Sequence, residues 1–206
     1  MTEPTPIVRI VDDDASFLKA IARLLRGAGF TVKTFVSAVE FLAQPELDVP
    51  GCVLVDLQMP GLSGLELQDV MARTGHRLPV IFLSGHGDVP STVRAMRQGA
   101  EDFLTKLAPK EDLIEAVKRA VRRDCNERAE RARQKELRAP FATLTPREVE
   151  VLQHVVQGKL NKQIAYDLGI HERTVKLHRT AITTKLGVQS NAELMRLWIA
   201  VQGTEA

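Results

Sequence analysis

The sequence has little cysteine, few aromatics, no long apolar run and no strong charge of either sign, and each shortage removes a class of protein. Two cysteines, Cys52 in a short apolar segment and Cys125 in a polar, charged one, are too few for a disulfide framework and have no metal-ligand partners nearby. A reducing, cytoplasmic setting is expected. Seven Phe, one Trp and one Tyr in 206 residues do not furnish a stacking platform for single-stranded nucleic acid. Apolar runs such as Cys52–Val55 and Val80–Leu83 are four residues long, far short of the roughly 20 that a bilayer requires. The segment Met1–Asp14 carries Arg9 against acids at 3, 12, 13 and 14 and has no apolar stretch of signal-peptide type. A net charge of +2 does not by itself mark a nucleic-acid binder.

What is present is enough to fold. The chain is 44% hydrophobic and 26% charged, so apolar burial can offset the entropy of ordering it, and 206 residues suit one large domain or two small ones. Charge is segregated: residues 1–124 hold 15 Lys and Arg against 17 Asp and Glu, residues 125–142 hold 5 against 3, and residues 143–206 hold 8 against 6. The acidic excess is N-terminal.

The first part alternates β-branched runs (Ile7–Val11, Thr31–Val36, Cys52–Val55, Pro79–Leu83 and Asp102–Thr105) with helical patterns. Phe17, Leu18, Ile21, Leu24, Leu25 and Ala28 form one apolar stripe that stops at Gly27 or Gly29, and Ser37-x-x-Glu40 is a capping box for a short second helix. Apolar strands alternating with helices predict a doubly wound α/β fold with a parallel sheet covered on both faces. Residues 1–124 are assigned to this domain. Leu113, Ile114, Val117 and Val121 then continue into a highly charged helical linker, residues 125–142, which Ala139-Pro140 should break.

Thr145-Pro146-Arg147-Glu148 opens a second domain, residues 143–206, with a capping box and a proline at the first helical position. Four helices are expected, at 146–157, 161–168, 172–186 and 190–201. Their core would be Leu152, Val155, Val156, Ile164, Ala165, Leu168, Val175, Ile182, Leu186, Leu194, Leu197 and Trp198.

Asp12, Asp13 and Asp14 follow the first strand and Asp56 follows the third. In a flavodoxin-like sheet of order 2-1-3-4-5 those strands are neighbours at the switch point, where ligands bind beyond the carboxyl ends. Converging carboxylates repel unless a hard cation such as Mg²⁺ lies among them. Ser84 and Lys106, ending the fourth and fifth strands, add a hydroxyl and an ammonium. A carboxylate nucleophile, a divalent ion, a hydroxyl donor and a lysine suffice to accept and hold a phosphoryl group. Two other readings stand beside this one. Asp12-Asp13-Asp14 contains the D-x-D of a haloacid-dehalogenase-type phosphotransferase with Asp12 as nucleophile, which leaves Asp56 and the second domain unexplained; alternatively, the first domain is an unphosphorylated interaction module. Asp14 fits a helix cap, and His76 and His86 are read as solvated.

In the second domain, a helix over 172–186 sets Lys176, Arg179, Thr180, Thr183 and Thr184 on one face and Val175, Ile182 and Leu186 on the other, with Lys162 and Lys185 flanking. A small basic and polar face opposite an apolar one suits the major groove of duplex DNA.

Val11-Asp12-Asp13, Val55-Asp56-Leu57-Gln58-Met59-Pro60-Gly61-x-x-Gly64, Leu83-Ser84-Gly85-His86 and Phe103-Leu104-Thr105-Lys106 resemble the receiver domain of bacterial response regulators. Leu144-Thr145-x-x-Glu148, Asn161-Lys162-x-Ile164-Ala165-x-x-Leu168 and Thr174-Val175-Lys176-x-His178 resemble the LuxR-type helix-turn-helix. The order is that of the FixJ/NarL class, the FixJ branch being the nearer. The resemblance implies a transcription regulator, not an enzyme, phosphorylated at Asp56 by a histidine kinase. Asp13, Asp56 and the main-chain carbonyl of Gln58 would hold Mg²⁺, with Asp12 acting through water. Ser84 and Lys106 would bind phosphoryl oxygens, and Phe103 would reorient as Ser84 moves inward. It also implies groove contacts at Lys176, Leu177 and Thr180 within a DNA-binding set that includes Lys162, Thr174, His178, Arg179 and Lys185. Its implied partners are duplex DNA, RNA polymerase and a second copy of the chain.

Two departures stand out. His171 occupies the position where Ser or Thr caps the recognition helix, a loss of ~1 kcal/mol. Leu107 follows Lys106 where receivers carry a proline joined by a cis bond that aims the lysine. A cis bond costs about 0.5–1 kcal/mol before proline and roughly 2.5–4 before other residues. A trans bond is therefore expected, with the loop Leu107–Pro109 displaced and coupling from Asp56 to the fifth strand weakened.

Overall fold

The computed structural model describes residues 4–44, 47–85 and 89–202; His86 lies outside them. The chain forms two compact units, residues 1–128 and 129–206.

In the first unit five parallel strands lie in the order β2-β1-β3-β4-β5: β1 Ile7–Val11, β2 Thr31–Phe35, β3 Gly51–Asp56, β4 Val80–Ser84 and β5 Asp102–Thr105. Helices α1 (Ala15–Gly27), α2 (Ala38–Leu42), α3 (Gly64–Arg73) and α4 (Val89–Arg97) connect them, and α5 (Lys110–Arg138) follows β5. The central strands β1, β3 and β4 are buried along their whole length and largely apolar because both faces are covered, whereas the edge strands β2 and β5 keep exposed or half-buried positions. Val8, Ile10, Cys52, Leu54, Ile81 and Leu83 pack with Leu18 and Leu25 of α1 and Val117 of α5. Val11, Val53, Val55 and Phe82 pack with Phe41 of α2, Leu67 of α3 and Ala95 of α4. Burial pushes the Cys52 thiol up to about 12, leaving it protonated and inert.

Register places the site. Val11 lies beside Val55, Asp56 beside Leu83, and Ser84 beside Thr105, so Asp12, Asp56, Ser84 and Lys106 fall at one edge of the sheet. Close packing there requires Gly64, where a Cβ would meet the Asp56 main-chain oxygen at 2.3 Å. At the opposite edge, Asp124 of α5 is fully buried and accepts from the Gly51 N–H at 2.8 Å and from Arg128 Nε at 2.8 Å. Arg128 also donates to the Asp48 carbonyl, so α5 contacts the first unit beyond residue 124. One helix runs from Lys110 to Arg138, and a 3-10 turn, Ala139–Thr143, begins at the expected break.

Two local expectations shift. Ser37 accepts from the Glu40 N–H at 3.2 Å, whereas the Glu40 carboxylate reaches the Val36 N–H and not that of Ser37. His76 is half-buried.

The second unit contains α6 (Pro146–Val156), α7 (Asn161–Leu168), α8 (Glu172–Leu186) and α9 (Asn191–Gln202). Thr145 and Glu148 form the full capping box of α6. The expected core residues assemble, joined by Val151, Phe141, Leu144, Ile170 and Val188. His171 begins α8 without a side-chain cap. No helix among the described residues is long and apolar enough to cross a membrane.

Candidate phosphoacceptor site and nucleic-acid interface

The end of β1 turns abruptly into α1, and the turn distributes three aspartates to three tasks. Asp14 caps α1, its carboxylate accepting from the N–H groups of Ser16 at 2.8 Å and Phe17 at 3.1 Å, bonds that hold its pKa below the ordinary value. Asp12 is fully buried, with its Oδ1 accepting from the Asp14 N–H at 2.9 Å. Asp13 points out at the rim, exposed. Asp56, buried at the end of β3, accepts from the Gln58 N–H through Oδ1 at 3.4 Å.

Lys106 joins the two buried carboxylates. Its Nζ lies 2.7 Å from Asp12 Oδ2 and 3.0 Å from Asp56 Oδ2. Burial raises the Asp12 pKa above the ordinary value even against the opposing pull of Lys106. Burial works to lower the Lys106 pKa, but hydrogen bonds to Asp12 and Asp56 outweigh it and the lysine ends raised, an ammonium. No cis peptide bond occurs among the described residues, as expected at Lys106-Leu107, yet the lysine is not misdirected. Its N–H donates to the Ser84 carbonyl at 2.8 Å, which launches the side chain toward the pocket from a trans backbone.

One oxygen each of Asp12, Asp13 and Asp56 lies within 4.8 Å of the others. Three carboxylates and one ammonium leave a formal charge of −2, and an all-oxygen donor set of that charge fits a small, hard divalent cation. Ser84 is buried at the end of β4. Phe103 is half-buried and stacked on Phe82, ring centroids 6.1 Å apart.

On α8, Lys176, Leu177 and Thr180 are exposed, while Thr174 and His178 are half-buried. Lys162 is exposed near the start of α7. Two of the predicted contacts are engaged within the unit. Arg179 donates to Asn161 Oδ1 at 3.0 Å and Asn191 Oδ1 at 2.7 Å, bracing the first turns of α7 and α9. Lys185 pairs with Glu148 at 2.7 Å and donates to the Thr143 carbonyl at 3.2 Å. Helical periodicity set Arg179 on the polar face and Lys185 beside it but did not show the acceptors that other segments bring there. Arg173, absent from the sequence-based set, is exposed and shares a stripe with Lys176, Leu177 and Thr180; its i, i+3, i+4, i+7 spacing was the available signal.

The response regulator receiver domain family matches residues 8–118, and the luxR family of bacterial regulatory proteins matches residues 142–198. The chain is 41% identical over 197 residues to the response regulator protein TmoT of Ectopseudomonas mendocina, covering 96% of this chain and 90% of that protein. It is 42% identical over 204 residues to the transcriptional regulatory protein FixJ of Azorhizobium caulinodans, covering 96% and 93%. The solved structure of the response regulator StyR is 43% identical, with a TM-score of 0.85 over 94% of this chain and 98% of that one. Full-length FixJ from B. japonicum is 34% identical, with a TM-score of 0.58 over 100% of both chains. A parallel 2-1-3-4-5 sheet with its acidic edge, followed by a four-helix unit, agrees with both family matches: the chain belongs to the response regulators of the FixJ/NarL class, transcription regulators that couple a receiver to a LuxR-type DNA-binding domain.

Proposed function

We propose that Asp56 accepts a phosphoryl group from a histidine kinase and that the modified protein pairs through its receiver to bind DNA. The observation that carries this reading is the convergence of buried Asp12 and Asp56 on the Lys106 ammonium, at 2.7 and 3.0 Å, beside exposed Asp13. An Asp56 oxygen attacks phosphorus as the phosphorus–nitrogen bond of the donor phosphohistidine breaks, and the leaving imidazole nitrogen keeps the electron pair. Asp13, Asp56 and the Gln58 carbonyl would hold Mg²⁺, with Asp12 acting through water. When bound, the ion neutralises charge on the transferring oxygens.

Transfer exchanges one carboxylate charge for about two on the acyl phosphate. Lys106, already within hydrogen-bonding distance of the acceptor carboxylate, follows the new oxygens. Ser84, at the next strand end, donates its hydroxyl, and its inward movement frees the space into which Phe103 turns from Phe82. The receiver surface around α4, β5 and α5 thereby changes, and two receivers pair. Pairing brings two α8 helices to DNA half-sites, where Lys176, Leu177 and Thr180 reach bases and Lys162 a phosphate. The protein acts in the cytoplasm, regulating transcription by RNA polymerase. The receiver is assigned to residues 1–124, the linker to 125–142 and the DNA-binding domain to 143–206.

Incubation with Mg²⁺ and acetyl phosphate, followed by intact-mass measurement, tests the chemistry. The chain gains one phosphoryl mass and Asp56→Asn does not; a gain that persists in the variant overturns the assignment. Light scattering before and after phosphorylation tests pairing, and one unchanged mass rejects it.

A further inference from the structure

Lys106 holds its place without a neighbour that constrains it from the following position. Leu107 is 91% exposed and joined by a trans bond. The backbone fixes only the root of the side chain, through the Lys106 N–H bond to Ser84 and a turn closed by the Ala108 N–H to the Thr105 carbonyl at 3.0 Å. Beyond that root the four-carbon stem has free torsions. A cavity of about 190 Å³, lined by Phe17, Thr105, Lys106 and Ala108 among others, adjoins it and gives it room to turn away.

The aromatic face of Phe17 opposes that turn. Its ring centroid is 4.6 Å from Lys106 Nζ, within the range at which a cation is attracted to the negative face of an aromatic ring. Phe17 is itself well anchored. Its N–H is bonded by the Asp14 cap, and its half-buried side chain packs against the core shared by α1, α5 and the sheet.

We infer that Phe17 is a positioning residue of the phosphoacceptor site, its ring holding the Lys106 ammonium between Asp12 and Asp56. The inference rests on the reading of Asp56 as acceptor. Phe17 touches none of the reacting atoms; it acts through the lysine. A ring contact of this kind shifts the population of the inward lysine by roughly threefold or more. Leu at position 17 fills similar apolar space but offers no quadrupole, whereas Tyr retains the ring face.

The test uses the full chain with ¹³C-labelled lysine, and the Lys106 ε-methylene resonance is identified by its loss in Lys106→Arg. That resonance is expected to be displaced upfield by the Phe17 ring, to remain displaced in Phe17→Tyr, and to return to the position of the other lysines in Phe17→Leu. With acetyl phosphate, Phe17→Leu should take up phosphate at least about threefold more slowly, Phe17→Tyr should recover most of the rate, and circular dichroism should show all three chains folded. An undisplaced wild-type resonance, or a Phe17→Leu rate equal to wild type, overturns the inference. If the wild-type chain takes up no phosphate, the reading of Asp56 fails separately, and the lysine resonance still decides whether Phe17 holds Lys106.

Discussion

The two proposed functional surfaces of this chain are built on opposite plans. The acidic site draws Asp12, Asp56, Ser84 and Lys106 from the ends of four strands, buries two carboxylates and pairs both with one ammonium. The proposed recognition surface is one stripe of α8, with Arg173, Lys176, Leu177 and Thr180 exposed. Groups that share a buried network couple strongly, whereas separate contacts on one exposed helix add. Substitutions in the first surface should therefore alter fold and chemistry together and non-additively; those in the second should alter DNA affinity and leave the fold alone.

The largest expected effect comes from breaking the charge balance. Lys106→Ala leaves Asp12 and Asp56 buried without a counter-charge, and breaking such a pair costs about 3 kcal/mol, the low end for buried ion pairs because the Lys106 side chain is itself 20% exposed. Adding Asp12→Asn to Lys106→Ala should restore part of that loss. Urea denaturation of the two single variants and the double variant measures the coupling, and strict additivity would show that the carboxylates do not depend on the lysine. Next comes Gly64→Ala, whose new methyl meets the Asp56 main-chain oxygen at 2.3 Å and Val55 Cγ1 at 2.9 Å. A backbone shift at the acceptor strand should cost about 1–3 kcal/mol and slow phosphorylation in the same variant. Retained stability with slowed uptake would separate the site's geometry from its packing.

The strands and the acidic edge were legible in the sequence, because the central strands are largely apolar runs and the aspartates stand at the ends of two of them, while the 2-1-3-4-5 order came from assuming a flavodoxin-like sheet. The helix bounds of the second unit were legible from Thr145, Gly169 and Gly187. Contacts that close over long sequence distances were not. Asp124 reads as one more charge on a polar helix until the fold sets it against the Gly51 N–H, 73 residues away. Arg179 lay on the polar face of its helix, and nothing local announced that Asn161 and Asn191 would both turn toward it. For Lys106 the missing proline suggested a displaced loop and weakened coupling, whereas the side chain is held by Asp12 after β1, Asp56 of β3 and Phe17 of α1.

The division between brace and contact on α8 yields the third prediction. Arg179→Ala should lower the stability of the second unit by about 1–2 kcal/mol, since it removes two partly exposed charge-assisted hydrogen bonds. Arg173→Ala should leave stability within about 0.5 kcal/mol. It should weaken DNA binding and reduce the dependence of log affinity on log salt by about one if the guanidinium meets a phosphate. Fluorescence of Trp198, which packs beside Phe141 in this unit, reports the first effect, and salt titrations of duplex binding report the second. If Arg179→Ala changes the salt slope and Arg173→Ala does not, the two roles are reversed.

The smallest expected effect tests whether the second unit has any counterpart to the buried charges of the receiver. Glu148 closes the α6 capping box and meets Lys185 at 2.7 Å. The Lys185 ammonium first, and then the Thr145 N–H, hold its carboxyl below the ordinary value of 4.5. An acid whose pKa is depressed by folding binds its proton more readily in the unfolded chain. Its contribution is complete above the ordinary value and is lost as the pH falls through the depressed folded value. Asp167, lowered by Lys159, acts in the same direction within the same unit, so the pH dependence of the whole unit does not isolate Glu148. Glu148→Gln does, because Gln keeps an acceptor for the Thr145 N–H but has no charge to titrate. Thermal unfolding followed through Trp198 should lose stability below pH 4.5 in the wild type and lose less in Glu148→Gln. Parallel curves for the two chains would mean that the Lys185–Glu148 pair has no electrostatic role in stability, leaving the capping geometry alone to hold the start of α6.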